Sequence, residues 1–412
     1  MQPARTTPCH PQGGAVSETV QIQEPAGLPA LPRSAIWDLG FRPFFLLASA
    51  FAALSIGAWA LQYAGWLDTP YLSGPLWHAH EMLFGFVLAV MVGFLLTAGR
   101  NWSNQPTPTG ISLAALAALW VAARVLVLTP FGIAAAVANI AFPLAAATAL
   151  ALPLVAGGNR RNYFLVGLLV LLAAASALVH LSQLGVLRLA GFVGIRIGLD
   201  AVLFVMAVIA GRVVPMFTNN GVVGATAGRR LWLERLALSS LLALLLADAL
   251  QWRGLFFVAL LALAALAHLA RWWLWRPWRT TRAPLVWVLH AAYFWIPIHL
   301  LLRAGAELGQ LPASVATHAL TVGAVGGLVI GMMTRVALGH TARPLVAGRV
   351  EVTCYALILL AALVRVFVPI VVPDAAAAGV LCSAALWSAG FALFAVAYWP
   401  VLTHPRLDGR PG

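Results

Sequence analysis

Long apolar stretches alternate with short polar segments along almost the whole chain. Each stretch is close to the roughly 20 residues that a helix needs to cross a bilayer. Lipid offers no partners to unpaired backbone groups, so helices are expected here and open strands are not. The pattern predicts an all-α polytopic membrane protein with about twelve transmembrane helices. The predicted spans lie near residues 43–63, 78–98, 111–129, 132–155, 163–186, 192–213, 231–250, 254–274, 284–303, 314–334, 351–372 and 378–402.

The segments between the predicted spans are short, which predicts a single transmembrane helical domain over residues 35–403. Residues 1–34 are rich in Pro, Gln, Thr and Gly and contain no apolar run, so they are predicted to be a disordered tail. Residues 404–412 form a short second tail. The first apolar stretch begins too late, and is too long, for a cleaved signal peptide.

Composition and charge agree with a membrane protein. Only 9% of the residues are charged, whereas a soluble domain carries about 25%. The net charge is +13 and comes from arginine, which is concentrated in alternate loops. The positive-inside rule therefore places both termini in the cytoplasm. Because topology accounts for this charge, a nucleic-acid partner is not expected. The cysteines Cys9, Cys354 and Cys382 lack the paired spacing of a thiolate metal site.

Spans 2, 6 and 10 share a pattern of polar residues. Each begins with ionisable groups at its outer end and ends with an arginine at its inner end, namely Arg100, Arg212 and Arg335. A period of four helices would give a three-fold pseudo-repeat. As sequence similarity the match is thin, so the repeat is a hypothesis.

The motif Trp77-His78-Ala79-His80-Glu81-Met82 lies at the mouth of span 2. Ionisable groups at membrane depth are costly and are candidates for a functional site. On an α-helix His78 and Glu81 share a face, whereas His80 points about 200° away from His78. The motif is therefore expected to contact two environments. If the chain is instead extended at this point, both histidines could hold one ion.

Further histidines lie at a similar depth near the outer face: His180, His299 and His318. Neutral imidazole is a common ligand for haem iron, copper and zinc. The sequence therefore predicts a metal site at the outer ends of the helices, with a proton relay as the alternative. His340 is 22 residues beyond His318, roughly 33 Å along a helix, so it cannot share that site.

Other polar and small residues leave two interpretations open. Arg196 and Asp200, spaced i and i+4 in span 6, either neutralise each other or free Arg196 for an anionic group such as a haem propionate. The glycine-rich stripes of spans 2 and 10 favour close helix packing over a slot for a flat macrocycle. Arg335 and His340, with Arg100 and Arg212, are either topological anchors or part of a second site at the inner face.

Several motifs, in this order, resemble the NnrS family of bacterial membrane proteins. The matching stretches are residues 39–45 (LGFRPFF), 77–85 (WHAHEMLFG), 211–218 (GRVVPMFT), 318–324 (HALTVGA), 331–335 (GMMTR) and 338–341 (LGHT). The resemblance covers residues 36–402 and implies a polytopic inner-membrane protein that contains haem and copper and helps to relieve nitrosative stress. The chain departs from the family pattern at Ala342, where glycine is expected.

The resemblance and the histidine positions lead to a specific hypothesis. A b-type haem is ligated by His318 and by one of His78 or His80. The other histidine of that pair holds copper with His180 or His299, and Arg196 faces a propionate. Nitric oxide, small and apolar, reaches the site through the bilayer. The arrangement is similar to haem–copper oxidases, in which spans 2 and 10 supply axial haem ligands, although span 6 here lacks a copper-binding histidine.

Two alternatives belong to other classes. In a transporter, Arg196, Asp200 and Glu81 would line a proton or anion path. Broken helices would then be expected, with Pro143, Pro153 and Pro297 as the candidate positions. In a metal-dependent sensor, nitric oxide would bind without turnover. The sequence identifies no electron donor.

Overall fold

The computed structural model describes residues 34–410, and within this range the chain is helical and contains no strand. The predicted tail over residues 1–34 lies outside the described residues except for Ser34. The division of the chain into two tails and one membrane domain stays a prediction.

Twelve long helices follow one another between Phe41 and Thr403. They are α1 (Phe41–Tyr63), α2 (Gly74–Ser103), α3 (Gly110–Val127), α4 (Gly132–Ala156), α5 (Arg160–Gln183), α6 (Phe192–Gly221), α7 (Leu231–Ala249), α8 (Leu255–Arg279), α9 (Pro284–Glu307), α10 (Ala313–His340), α11 (Arg349–Val371) and α12 (Pro373–Thr403).

Eleven of the helices are long and apolar enough to cross a membrane. The remaining helix, α7, has 19 residues but carries Glu234, Arg235 and Asp248, which lower its hydropathy. The prediction of an all-α polytopic membrane protein is confirmed.

Helices that are neighbours in sequence pack side by side, and α12 closes the arrangement by packing against both α1 and α11. The spans in α2, α6 and α10 are 78%, 61% and 67% buried, whereas those in α3, α11 and α12 are 39%, 33% and 28% buried. Burial of every fourth helix agrees with the pseudo-repeat, but α9 is as buried as α10. The three-fold repeat remains a hypothesis.

Two helices contain π-helical segments, and each segment begins directly after a histidine. In α2 the segment Glu81–Val87 follows His80, and in α10 the segment Ala319–Gly326 follows His318. A π turn bonds residue i to i+5, is wider than an α turn and is frequent at functional sites. The widened turn changes which side chains share a face at the outer ends of these two helices.

The glycine stripe of α10 lies against α9. A Cβ atom at Gly323 would lie 2.4 Å from the ring of Trp295, and one at Gly331 would lie 2.8 Å from Val288. Such close approach is the packing that small residues permit between membrane helices. The stripe is therefore occupied by α9, as the packing interpretation predicted.

A buried ion pair fixes the inner halves of α6 to α9. Arg271 is 1% exposed and contacts Glu234 through Nε at 2.9 Å and Nη2 at 2.7 Å. Its Nη1 donates to the Tyr293 hydroxyl at 3.0 Å. A Cβ atom at Gly211 would lie 1.6 Å from Nη2 of Arg271. Gly211 is therefore required because the guanidinium packs directly on its backbone.

We expect Gly211→Ala to displace Arg271 and to lower the free energy of unfolding by about 3 kcal/mol or more, the cost of disrupting a buried ion pair. Gly167→Ala is the matched control, because the space around that exposed helical glycine is open. Thermal unfolding of both variants in detergent tests this. Equal stability of the two variants would contradict the assignment.

Candidate functional site

The outer ends of α2 and α10 bring two predicted ligands, His78 and His318, together. Their ring centroids are 6.1 Å apart and their planes differ by only 8°. The ring of Trp59 in α1 stacks on His78 at 4.7 Å. Both histidines are half-buried, so the space beside them opens at the edge of the helix bundle.

The hydrogen bonds of these rings leave nitrogen lone pairs available. Nδ1 of His318 donates to the Ser314 carbonyl at 2.6 Å, which leaves Nε2 deprotonated in the neutral ring. Nδ1 of His78 is buried and has no hydrogen-bond partner. A backbone carbonyl that orients one ring nitrogen is the usual support of a metal-binding histidine.

Arg365 of α11 lies within electrostatic range of both rings. It makes no ion pair among the residues that the structure describes, and the Tyr63 phenol also lies within electrostatic range of it. Sequence analysis did not single out Arg365. The signal was present, because an arginine deep within an apolar span is itself unusual.

A second histidine pair lies deeper, between α2 and α5. Nε2 of His80 and Nε2 of His180 are 3.1 Å apart, and both residues are fully buried. Nδ1 of His80 lies 2.8 Å from Glu81, and Nδ1 of His180 lies 3.0 Å from the Tyr71 hydroxyl. The motif in α2 therefore serves two separate environments, as expected.

His78 and Glu81 were expected to share a helix face, but the Glu81 carboxylate contacts Nδ1 of His80. The backbone between His78 and Glu81 is α-helical, because the Glu81 amide bonds to the carbonyls of Trp77 and His78. The direction of the Glu81 side chain is therefore set by its contacts and not by the π segment that follows.

The Glu81 carboxylate also accepts a hydrogen bond from Arg124 of α3 at 2.5 Å, and Arg124 donates to the Asn139 side chain. Sequence analysis missed Arg124, whose partner is 43 residues away. Gly85 leaves room for it, since a Cβ atom there would lie 2.9 Å from Nη1.

Tyr71, His180, His80 and Glu81 form a continuous chain of hydrogen-bond contacts. With Glu81 ionised, His80 donates from Nδ1, so its Nε2 accepts from Nε2 of His180. Nδ1 of His180 then accepts from the Tyr71 hydroxyl. The arrangement can pass a proton along the chain. Alternatively, two Nε2 lone pairs can bind one ion, each supported on its Nδ1 side.

The family model for NnrS protein matches residues 35–406. The chain belongs to the NnrS family. The match spans all twelve helices, and the resemblance seen in the motifs is confirmed. NnrS proteins are linked in general terms to the response to nitric oxide. No curated protein matches the chain.

In this NnrS chain, the remaining predicted site residues lie apart from the two histidine pairs. Asp200 pairs with Arg303 of α9 at 3.2 Å, so the first of the two alternatives, mutual neutralisation of Arg196 and Asp200, is wrong. Arg303 also contacts Asp248. The tertiary contact to α9 therefore overrides the i, i+4 spacing. Arg196 makes no ion pair in the described part of the chain.

His299 remains close to the start of α10. Its Nδ1 donates to the Ala316 carbonyl at 2.7 Å, and its Nε2 is buried without a partner. It does not join the contact between His80 and His180. Within residues 34–410, no three His, Cys, Asp or Glu side chains are grouped so that they could hold a metal ion.

The arginines at the inner ends of the helices have separate surroundings. Arg212 donates to Asn162 at 3.0 Å, and the Arg335 guanidinium lies 3.7 Å from the centre of the Phe217 ring. His340 instead packs against Phe41 with ring centroids 5.6 Å apart. Arg212 and Arg335 are thus each held by a neighbouring side chain of the bundle, whereas His340 has different neighbours.

The pair Glu81–Arg124 generates a stability prediction. Glu81→Gln and Arg124→Gln should each lower the free energy of unfolding by about 3–5 kcal/mol, because each leaves an uncompensated buried charge. The double variant should lose less than the sum of the two losses. Denaturation of the three variants in detergent measures the coupling, and strictly additive losses would contradict the ion pair.

Proposed function

We propose that this chain is a haem- and copper-binding protein of the bacterial inner membrane that acts in the response to nitric oxide. The observation that carries the proposal is the near-parallel pair His78 and His318 at the outer end of the bundle. The ring centroids lie 6.1 Å apart, so the two imidazoles would be close enough to hold one metal ion between them.

The surroundings of this pair also fit a haem. Nε2 of His318 and the unpartnered Nδ1 of His78 are the nitrogens that would hold the haem iron. The sequence has no Cys-x-x-Cys-His motif for covalent haem attachment, and the non-covalent haem that we propose is b-type. We assign the propionate contact to Arg365 rather than Arg196, since Arg365 lies near both rings.

We assign copper to His80 and His180. Imidazole is a suitable ligand for copper, and the Glu81 and Tyr71 contacts on the Nδ1 atoms are the kind of support that orients metal-binding histidines. Only these two side chains converge, which leaves coordination positions open to a small molecule. Copper binding requires that the Nε2 proton shared by the two rings is released.

Nitric oxide enters the proposal through family membership. Being small and apolar, it can reach the outer half of the bundle through lipid. Haem iron and copper supply gas binding and one-electron chemistry when bound. Consumption of nitric oxide by the purified, reduced protein would identify an oxidoreductase, and binding without consumption would identify a sensor.

The transporter alternative is less well supported. Helices α4 and α9 continue without interruption through Pro143, Pro153 and Pro297, where breaks were expected. Glu81 and Asp200 are each held by an arginine of another helix, so neither is free to line an open path.

Single histidine variants test the two metal assignments against each other. We expect His78→Ala and His318→Ala to abolish the haem absorbance of the purified protein while copper is retained. His80→Ala and His180→Ala should lose copper and keep haem. His290→Gln is the control and should retain both haem and copper, because His290 lies in the inner half of α9 and contacts Thr218 of α6. Full haem occupancy in His318→Ala would overturn the haem assignment.

A further inference from the structure

A second cluster of positive charge lies at the opposite end of the bundle from the histidine pairs. It consists of Arg42 at the start of α1, Arg100 near the end of α2, His340 at the end of α10, Arg343 just beyond it, and Arg406 after α12. Arg42 lies within electrostatic range of Arg343 and Arg406, and His340 within range of Arg42, Arg100 and Arg406. We call these five residues the inner arginine cluster.

The acidic groups near the cluster are fewer than its arginines. Asp38 lies near Arg42. Asp408 binds Arg406 through two contacts of 2.9 and 2.8 Å, and Arg406 lowers the pKa of Asp408 to about 2. Asp408 is therefore ionised at neutral pH and compensates Arg406. The cluster as a whole retains an excess of positive charge.

Arg42 is fully buried, yet only part of its guanidinium is bonded. Nη1 donates to the carbonyls of Leu402 at 3.0 Å and His404 at 2.8 Å, whereas Nε and Nη2 are buried without partners. Nη1 of Arg343 is also buried without a partner. Buried charged donors without acceptors are expensive, so three unpaired N–H-bearing atoms indicate a missing acceptor.

The backbone around the cluster supports the same conclusion. The N-terminus of α1, where Arg42 lies, carries the positive end of a helix dipole and favours an anion. Ala342 adopts φ 58°, and this turn returns the Arg343 amide to the Leu338 carbonyl at 3.0 Å. Two of the motifs that carry the family resemblance, residues 39–45 and 338–341, meet here, and the outer site explains neither of them.

We propose that the inner arginine cluster binds a phosphate-type oxyanion at the inner face of the membrane. Nε and Nη2 of Arg42 and Nη1 of Arg343 supply the donors, since guanidinium groups match the geometry of phosphate oxygens. The phosphate belongs either to a free anion or to the headgroup of an acidic lipid of the inner leaflet. The proposal does not depend on haem or copper at the outer end.

The test compares Arg343→Gln with Arg349→Gln. Arg349 is an exposed arginine at the start of α11 and serves as the matched control. Calorimetric titration of delipidated protein with inorganic phosphate measures binding of the free anion. Native mass spectrometry of protein released from nanodiscs measures binding of the lipid, as the amount of phosphatidylglycerol that the protein retains. Arg343→Gln should unfold at the same temperature as the wild type, and Arg343→Lys should recover binding. Together these results would show that weaker binding by Arg343→Gln does not come from loss of the fold.

We expect the wild type and Arg349→Gln to bind one of the two probes alike. Arg343→Gln should bind that probe about tenfold more weakly, the effect of one charge-assisted hydrogen bond. Binding of inorganic phosphate identifies a soluble anion, and retention of phosphatidylglycerol alone identifies a lipid. Equal affinity of all three proteins for both probes, or no binding of either probe, would overturn the proposal.

Discussion

The cost of placing a charged group among apolar helices governs this structure. Three deeply buried arginines form ion pairs with acidic residues, and each acidic partner lies on another helix than its arginine. Arg124 pairs with Glu81, Arg271 with Glu234, and Arg303 with Asp200 and Asp248. Buried ion pairs of this kind contribute little net stability, but losing one partner is severely destabilising. They therefore fix which helices can be neighbours.

Buried polar atoms without a partner occur at both ends of the bundle. They include Nδ1 of His78 at the outer end, and Nε and Nη2 of Arg42 with Nη1 of Arg343 at the inner end. Native proteins rarely leave buried polar groups unpaired. The two proposals thus assign different chemistries to the two ends of the bundle, namely imidazole ligands for metal outside and guanidinium donors for an oxyanion inside.

Sequence alone predicted much of this architecture and only part of the site. Hydropathy located the helices, because lipid imposes one length and one apolar character on every span. Helical spacing also indicated that the motif of α2 contacts two environments. The contact of Glu81 with His80 and Arg124 was not predicted, because helical spacing does not fix the direction of a side chain. Arg124 and Arg303 were missed because their partners are distant in sequence, whereas Arg365 could have been found as an arginine within an apolar span. Ala342 stands where the family pattern has glycine, and its backbone lies in the left-handed region that favours glycine. The sequence shows the substitution, but only the structure shows this backbone conformation.

The central claim is that the outer ends of α2 and α10 hold one haem between two imidazoles. The most direct measurement is electron paramagnetic resonance of the oxidised, purified wild-type protein, together with its haem content. The account predicts stoichiometric b-type haem with a low-spin ferric signal from two near-parallel imidazole ligands. A protein that lacks haem when haem supply is sufficient, or whose ferric signal is entirely high-spin, would contradict it.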